Sequence, residues 1–345
     1  MSGNGATIWR DVRQWLPGVL ISVVALFVIF KLASWPDLLA ALTSFMSPNL
    51  ILALFLSVIS LGTRGFAWRT LLGKKATFNQ SFFIINEGYL LNNLFPLRAG
   101  ELARAVFMGQ ASGLGPYHVL STIVLERAFD LAMAASLVLI SLPLALGMEW
   151  AKPVALAALG LVVAMLVFLF LAARYNAVVR NWIEKLASQS PIGQRIVVPR
   201  LGALLDGLET LTKPSQFIVT LFWIILSWVI WVSTHYVMLR TIEPDAPFWW
   251  AVFADGVLAL GVAIPSAPAA LGVFEGVLAG ALTFLGVPLN TAVAYAIMMH
   301  FLSFFSTGVF GFWGLIRERR SISGLFSQIQ LKNKNSTSST YSKVE

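Results

Sequence analysis

Six long apolar runs, set apart by clusters of arginine and lysine, leave this chain one class of fold. A bilayer's hydrocarbon core is about 30 Å thick, and about 20 helical residues cross it. Within it every backbone N–H and C=O must find a partner inside the protein, so an apolar run of that length is read as a helix. The runs lie at about 17–34, 48–68, 119–142, 153–173, 216–239 and 290–316. Composition points the same way. Of the 345 residues, 58% are hydrophobic and 12% charged, and the mean hydropathy is +0.79; soluble domains carry roughly a quarter charged residues. The chain therefore reads as an all-α polytopic membrane protein with about six transmembrane helices.

The net charge of +8 fits the basic bias of cytoplasmic loops in such proteins. Nucleic-acid binding would need a basic face on a soluble domain, and the sequence offers none. The absence of cysteine excludes disulfides, thiolate chemistry and cysteine-based metal sites. Arg10 and Arg13 precede the first apolar run, but no A-x-A cleavage site follows it, so it is read as an uncleaved span.

Loop charges set the orientation. Arg64, Arg69, Lys74 and Lys75 form a positive cluster after the second run. They place it and the N-terminus in the cytoplasm, with the loop at Pro36 and Asp37 outside. The stretch 174–215 is basic and cytoplasmic, and within it 179–186 and 201–211 read as amphipathic surface helices. Arg317, Arg319 and Arg320 bring the last span inward. Two apolar segments then have no room to cross. Residues 80–118 must enter and leave on the cytoplasmic side, and 247–288 on the outer side. Each is expected to be a re-entrant helical hairpin, one with its tip at Pro96 and Gly100, the other at Pro265, Pro268 and Gly272. The order span, span, hairpin, span repeats in opposite orientation over about 10–147 and 153–320, an inverted repeat of the kind found in transporters. Residues 1–320 form one domain on this reading, and the polar tail 321–345 is expected to be disordered and cytoplasmic.

Charge inside such a chain marks a site, because ionisable groups at membrane depth are costly unless they face protein or a watery cavity. The first concentration runs from Asn92 to Arg104. If a helix starts after Pro96, Arg98, Glu101 and Arg104 share a rough face near its N-terminus. Free N–H groups and forked guanidinium groups there suit phosphate. The plain alternative is a cytoplasmic loop with surface charges. Glu126, Arg127 and Asp130 lie within the next span. They would position the hairpin's arginines or simply hold helices together. Glu275, in the second hairpin, would meet those arginines if the two tips touch, and Asp255 is placed near the outer surface. Asn86, Glu87, Asn92 and Asn93 would line a polar groove or bond between helices. Gly272, Gly276 and Gly280 read as a close-packing stripe. His118, His235 and His300 are scattered without ligand spacing, so no metal or cofactor is expected.

The pattern Asn93-x-x-Pro96-x-x-x-Gly100-Glu101-x-x-Arg104, then Glu126-Arg127-x-x-Asp130, then Pro265-x-x-Pro268-x-x-x-Gly272-Val273-x-Glu275 resembles the transmembrane region of the lysylphosphatidylglycerol synthase family, also called flippase-like domain proteins. The resemblance extends from about residue 10 to 320. It implies a single flippase-like domain that moves a lipid between leaflets. In two-part relatives a soluble C-terminal domain attaches the amino acid. This chain stops where that domain would begin, so the transferase activity is not expected. The family commonly has Pro-Gly-Gly before the second glutamate motif. Here Pro268-Ala269-Ala270 stands in its place, which removes the ground for expecting a glycine-dependent contact at that tip.

The expectation is an inner-membrane, multi-pass lipid translocator with both termini cytoplasmic. Its partners would be lipids with anionic headgroups: phospholipid, aminoacyl-phospholipid or a polyprenyl-phosphate-linked glycan. Substrate-binding candidates are Asn93, Arg98, Glu101, Arg104, Glu126, Arg127, Asp130 and Glu275. Arg98 and Arg104 are expected to hold the phosphate. Two other classes compete. One is an embedded transferase acting on a lipid phosphate, with Glu126 or Asp130 as base. The other is a partner subunit for a separate synthase or glycosyltransferase.

Overall fold

A computed structural model of the chain describes residues 35–95, 98–147, 151–175, 213–263 and 267–318, with a few isolated positions besides. The expected first span at 17–34 (Phe27 apart), the surface helices at 179–186 and 201–211 (three isolated positions apart), the tail beyond 320 and the tip prolines Pro96 and Pro265 lie outside them.

The described residues are mainly helical, with no strand among them. Ten helices follow in order: α1 (Trp35–Ser44), α2 (Pro48–Leu71), α3 (Phe78–Leu94), α4 (Ala99–Ser112), α5 (Pro116–Leu146), α6 (Ala151–Arg174), α7 (Pro214–Ile242), α8 (Phe248–Val262), α9 (Val273–Phe284) and α10 (Leu289–Arg317). A 3-10 turn, Pro268–Ala270, precedes α9. The expected loop at Pro36 is instead helical, since Pro36 lies within α1.

Local sequence sets most boundaries. Proline opens α2, α5 and α7. A capping box opens α3: the Thr77 hydroxyl accepts from the Gln80 N–H at 3.2 Å, and the Gln80 side chain accepts from the Thr77 N–H at 2.8 Å. Gly147, left-handed at φ 63°, ends α5.

Helices α2, α5, α7 and α10 have 24, 31, 29 and 29 residues and are long and apolar enough to cross a membrane. Helices α3, α4, α8 and α9 have 17, 14, 15 and 12. At 1.5 Å per residue none of these four reaches about 30 Å. They form two hairpins, α3–α4 and α8–α9, whose arms pack on each other. Large apolar side chains such as Phe55, Phe222, Phe301 and Phe312 stay exposed on the outer faces, as lipid contact requires. This is an all-α polytopic membrane protein.

Packing is reciprocal between the halves. Helices α2 and α7 pack along each other at the centre. Helix α10, which closes the second half, packs on α3, the first arm of the first hairpin. Helix α5, which closes the first half, packs on α8, the first arm of the second. Exchanging the halves leaves this pattern unchanged. The apolar core divides accordingly. One cluster gathers Trp68, Ile84, Met108 and Phe129, the other Leu258, Leu282, Tyr295 and Met299. The central helices feed both, α2 through Trp68 and Ala53 and α7 through Trp228 and Met238, while Leu137 packs against both.

Candidate functional site

Between the two cores lies a cavity of about 520 Å³. Its wall on the first-half side carries Arg64, Asn93, Arg98, Arg127 and Asp130. Opposite stand Asp255, Trp231 and Phe274, and serines from α2, α7 and α10 complete the lining. Large apolar walls with a few convergent charges are what a small-molecule or headgroup site looks like.

The charged side is one linked network. Glu126, within α5, takes three arginines: Arg104 at 2.6 Å, Arg127 at 3.1 Å and Arg64 at 3.3 Å. Asp130, one turn on, pairs with Arg64 and with Arg127 at 3.2 Å, and accepts from the Trp228 indole at 3.2 Å. Glu101 joins Arg98 at 3.6 Å to Arg127 at 3.5 Å. Four arginines thus meet three carboxylates, which leaves one positive charge over. Charges this deep in protein hold their place only when paired and hydrogen-bonded.

Exposure separates the arginines. The side chains of Arg98 and Arg127 keep 43% and 31% of their surface open, Arg64 keeps 12% and Arg104 none. Arg104 does not line the cavity. It is held by Glu126, and its guanidinium lies 4.3 Å over the Trp68 ring. The ring face covers guanidinium nitrogens that have no hydrogen-bond partner. Arg98 and Arg127, rather than the expected Arg98 and Arg104, are the arginines most open to the cavity. Glu101 and Glu126 hold them from behind rather than lining the cavity, while Asn93 and Asp130 do line it.

The hairpin tips meet, but not through the groups expected. Arg98 stands at the N-cap of α4 in the left-handed region (φ 54°, ψ 40°). It reaches across to the carbonyls of Val262 and Ala263 at the end of α8, at 3.1 and 3.2 Å. A cation on those orphan carbonyls satisfies the helix end. Glu275 does not pair with an arginine. It accepts from the Gly272 N–H at 2.7 Å and pairs with His300 at 2.6 Å. The free N–H groups expected at the start of α4 are partly occupied, since Asn92 accepts from Gly100 N–H at 2.8 Å. Asn86 bonds within α3, to the Phe82 carbonyl.

Arg64 escaped sequence reasoning because it stood beside Arg69 and Lys74 in a positive cluster. The signal was present: Ser57, Ser60 and Arg64 recur at helical spacing along one face of α2, inside an apolar run. Asp255 was placed near the outer surface, yet it is 2% exposed and lines the cavity.

Among the described residues no group of three or more histidines and carboxylates is disposed to hold a metal ion. Comparison with known proteins agrees with the geometry. The chain is 25% identical over 224 residues to a UPF0104 membrane protein of Methanocaldococcus jannaschii, covering 64% of this chain and 91% of that protein. Residues 15–311 match the family described as the lysylphosphatidylglycerol synthase TM region, and that span takes in both hairpins, the arginine network and the cavity. The chain belongs to that family.

Proposed function

We propose that the protein moves a lipid with an anionic phosphate headgroup between leaflets, the headgroup passing through the central cavity while the tails stay in the bilayer. The observation that carries this reading is the cavity itself, where two open arginines face hydroxyl and aromatic walls at the junction of two short hairpins. A guanidinium fork matches phosphate oxygens two at a time. The surplus positive charge of the network draws an anion without stripping the carboxylates of their partners. Phospholipid, aminoacyl-phospholipid and polyprenyl-phosphate-linked glycan share this headgroup chemistry.

The reciprocal packing supports an inverted repeat, with the base of the first hairpin on the cytoplasmic side and that of the second outside. Rocking of one hairpin against the other would expose the cavity to each side in turn. The Arg98 bridge to Val262 and Ala263 joins the two hairpins, so its release is one step of that motion. The localisation proposed is the cell membrane, with both termini cytoplasmic. The transferase reading needs a free base at Glu126 or Asp130, and both are engaged by two or more arginines.

The test uses vesicles containing the purified protein and phosphatidylglycerol labelled on one acyl chain. Chemical quenching of the outer leaflet reports exchange. Wild type should speed exchange over empty vesicles. Arg98→Ala and Arg127→Ala should each slow it about tenfold or more, since a hydrogen bond to a charged group contributes about 1.5–3 kcal/mol. Competition by an unlabelled polyprenyl phosphate separates the lipid classes. Exchange by Arg98→Ala and Arg127→Ala equal to wild type removes the headgroup role.

A further inference from the structure

We propose that Asp255 and His235 form a proton-binding site that couples lipid movement to a proton gradient. The coupling rests on the translocator reading above; the proton site does not.

The two walls of the cavity carry their carboxylates differently. On the first-half side Glu101, Glu126 and Asp130 are paired with arginines, which stay charged at any pH a protein survives. In the second half Asp255 and Glu275 are paired with histidines. A histidine partner, unlike arginine, brings no fixed charge, so such a pair can take up a proton. The arginine wall is therefore a permanent anion site, and only the opposite wall can change its charge.

Asp255 sits on α8, and its Oδ1 lies 3.4 Å from His235 Nε2. Its Oδ2 is buried without a hydrogen-bond partner, as is His235 Nε2 by strict geometry. No Lys or Arg among the described residues forms an ion pair with Asp255, and His235 has no exposed surface. On the far side of the imidazole, Nδ1 lies 3.1 Å from the Tyr295 hydroxyl, which also lies 2.9 Å from the His235 carbonyl.

That hydroxyl has one proton, so two arrangements exist. If it donates to the carbonyl, Nδ1 must donate to it. A neutral imidazole then turns a bare Nε2 lone pair toward Asp255, and two acceptors confront each other unless a proton binds between them. If it donates to Nδ1, Nε2 carries the hydrogen toward Asp255 and the pair needs no extra proton. The two hydroxyl orientations thus match two states of the pair that differ by one proton and one unit of charge.

The surroundings are defined on each packed element. Helix α7 presents His235 and the Trp231 indole, which stands beside the Asp255 carboxylate, and α10 presents Tyr295. Across the cavity, α5 presents Arg127 and Asp130, α2 presents Arg64, and the first hairpin presents Arg98. On α9, Glu275 faces His300 rather than Asp255. A negative Asp255 pair offers a second partner to the arginines that would hold the headgroup, and so favours releasing it. A proton on the pair removes that competitor and leaves the arginines to the phosphate.

Infrared difference spectra of the protein in lipid nanodiscs, taken across its stable pH range, test the site. Wild type should gain the C=O stretch of a buried carboxylic acid as pH falls. Asp255→Asn, which is isosteric, should lose that band, and His235→Gln should move its midpoint. A band unchanged in Asp255→Asn, or absent from wild type, overturns the proton site.

Coupling is tested with the labelled phosphatidylglycerol vesicles under an imposed pH gradient. The ratio of exchange rates with and without the gradient should be several-fold in wild type and fall to about 1 in Asp255→Asn. A wild-type ratio near 1, with exchange present, overturns the coupling. Exchange absent from every protein, with the infrared band behaving as described, overturns the translocator and leaves the proton site standing.

Discussion

Glu126 shows how one side chain holds a site together. It lies within the protein and shares its one negative charge among three arginines, one of which, Arg104, has no exposed surface. Glu126→Gln removes that charge while keeping the shape. Breaking a buried pair from one side costs about 3–5 kcal/mol, because a charge is left without its counterion. The variant should lose that much stability in lipid or detergent, measured by thermal unfolding. Arg104→Met combined with Glu126→Gln should lose less than the two single changes added, since the double change removes that uncompensated charge. A fully additive double variant would show that Arg104 and Glu126 do not act as a pair. At the second tip, Ala269 and Ala270 sit at φ 57° and 54°. The left-handed region costs a residue with a Cβ about 1–2 kcal/mol. Ala270→Gly should therefore raise stability by up to about 1 kcal/mol, after the added freedom of the unfolded chain is set against it. Pro268-Ala269-Ala270 thus makes a strained tip.

Two glycines define how the hairpins are built as elements. A Cβ at Gly100 would stand 1.9 Å from the Gly88 carbonyl oxygen, so arms α3 and α4 touch backbone to backbone there. Gly100→Ala must push the arms apart, and overpacking of this kind costs about 1–3 kcal/mol or more. It should also move Arg98, two residues earlier, so phosphatidylglycerol exchange should fall along with the melting temperature. Gly280 gives the contrast. It was read as part of a packing stripe with Gly272 and Gly276, but a Cβ there meets nothing within 4 Å. Gly280→Ala should be tolerated and raise helix stability by about 1 kcal/mol. If both substitutions behave alike in thermal unfolding, the close approach at Gly100 is wrong.

At the scale of the whole molecule, the proposed inverted repeat makes a prediction about sides. The chain has no cysteine, so single cysteines can be placed at will. Ala111 near the base of the first hairpin and Asp245 just before the second are both exposed. A membrane-impermeant thiol reagent should label Ala111→Cys only from the cytoplasmic face and Asp245→Cys only from the outer face. Labelling of both from one face would mean that the halves run in the same sense, and alternating access by opposed hairpins would fall.

Much of the architecture was legible in the chain because lipid imposes simple rules. Length and hydropathy give the long spans α2, α5, α7 and α10, and Gly100, Pro268 and Gly272 mark where short helices turn back. The acidic and basic residues that form the site were also visible, since charge amid apolar residues is conspicuous. Pairing was not. Whether Arg64 belongs to a loop cluster or to Asp130, whether Glu275 meets an arginine or His300, and whether Asp255 lies outside or against His235 depend on how helices distant in sequence rotate against one another. Helical spacing assigns a residue to a face, but packing across the two halves decides what that face meets. Only the folded chain could show that the carboxylates by the arginine wall pair with arginines while Asp255 and Glu275 stand against histidines.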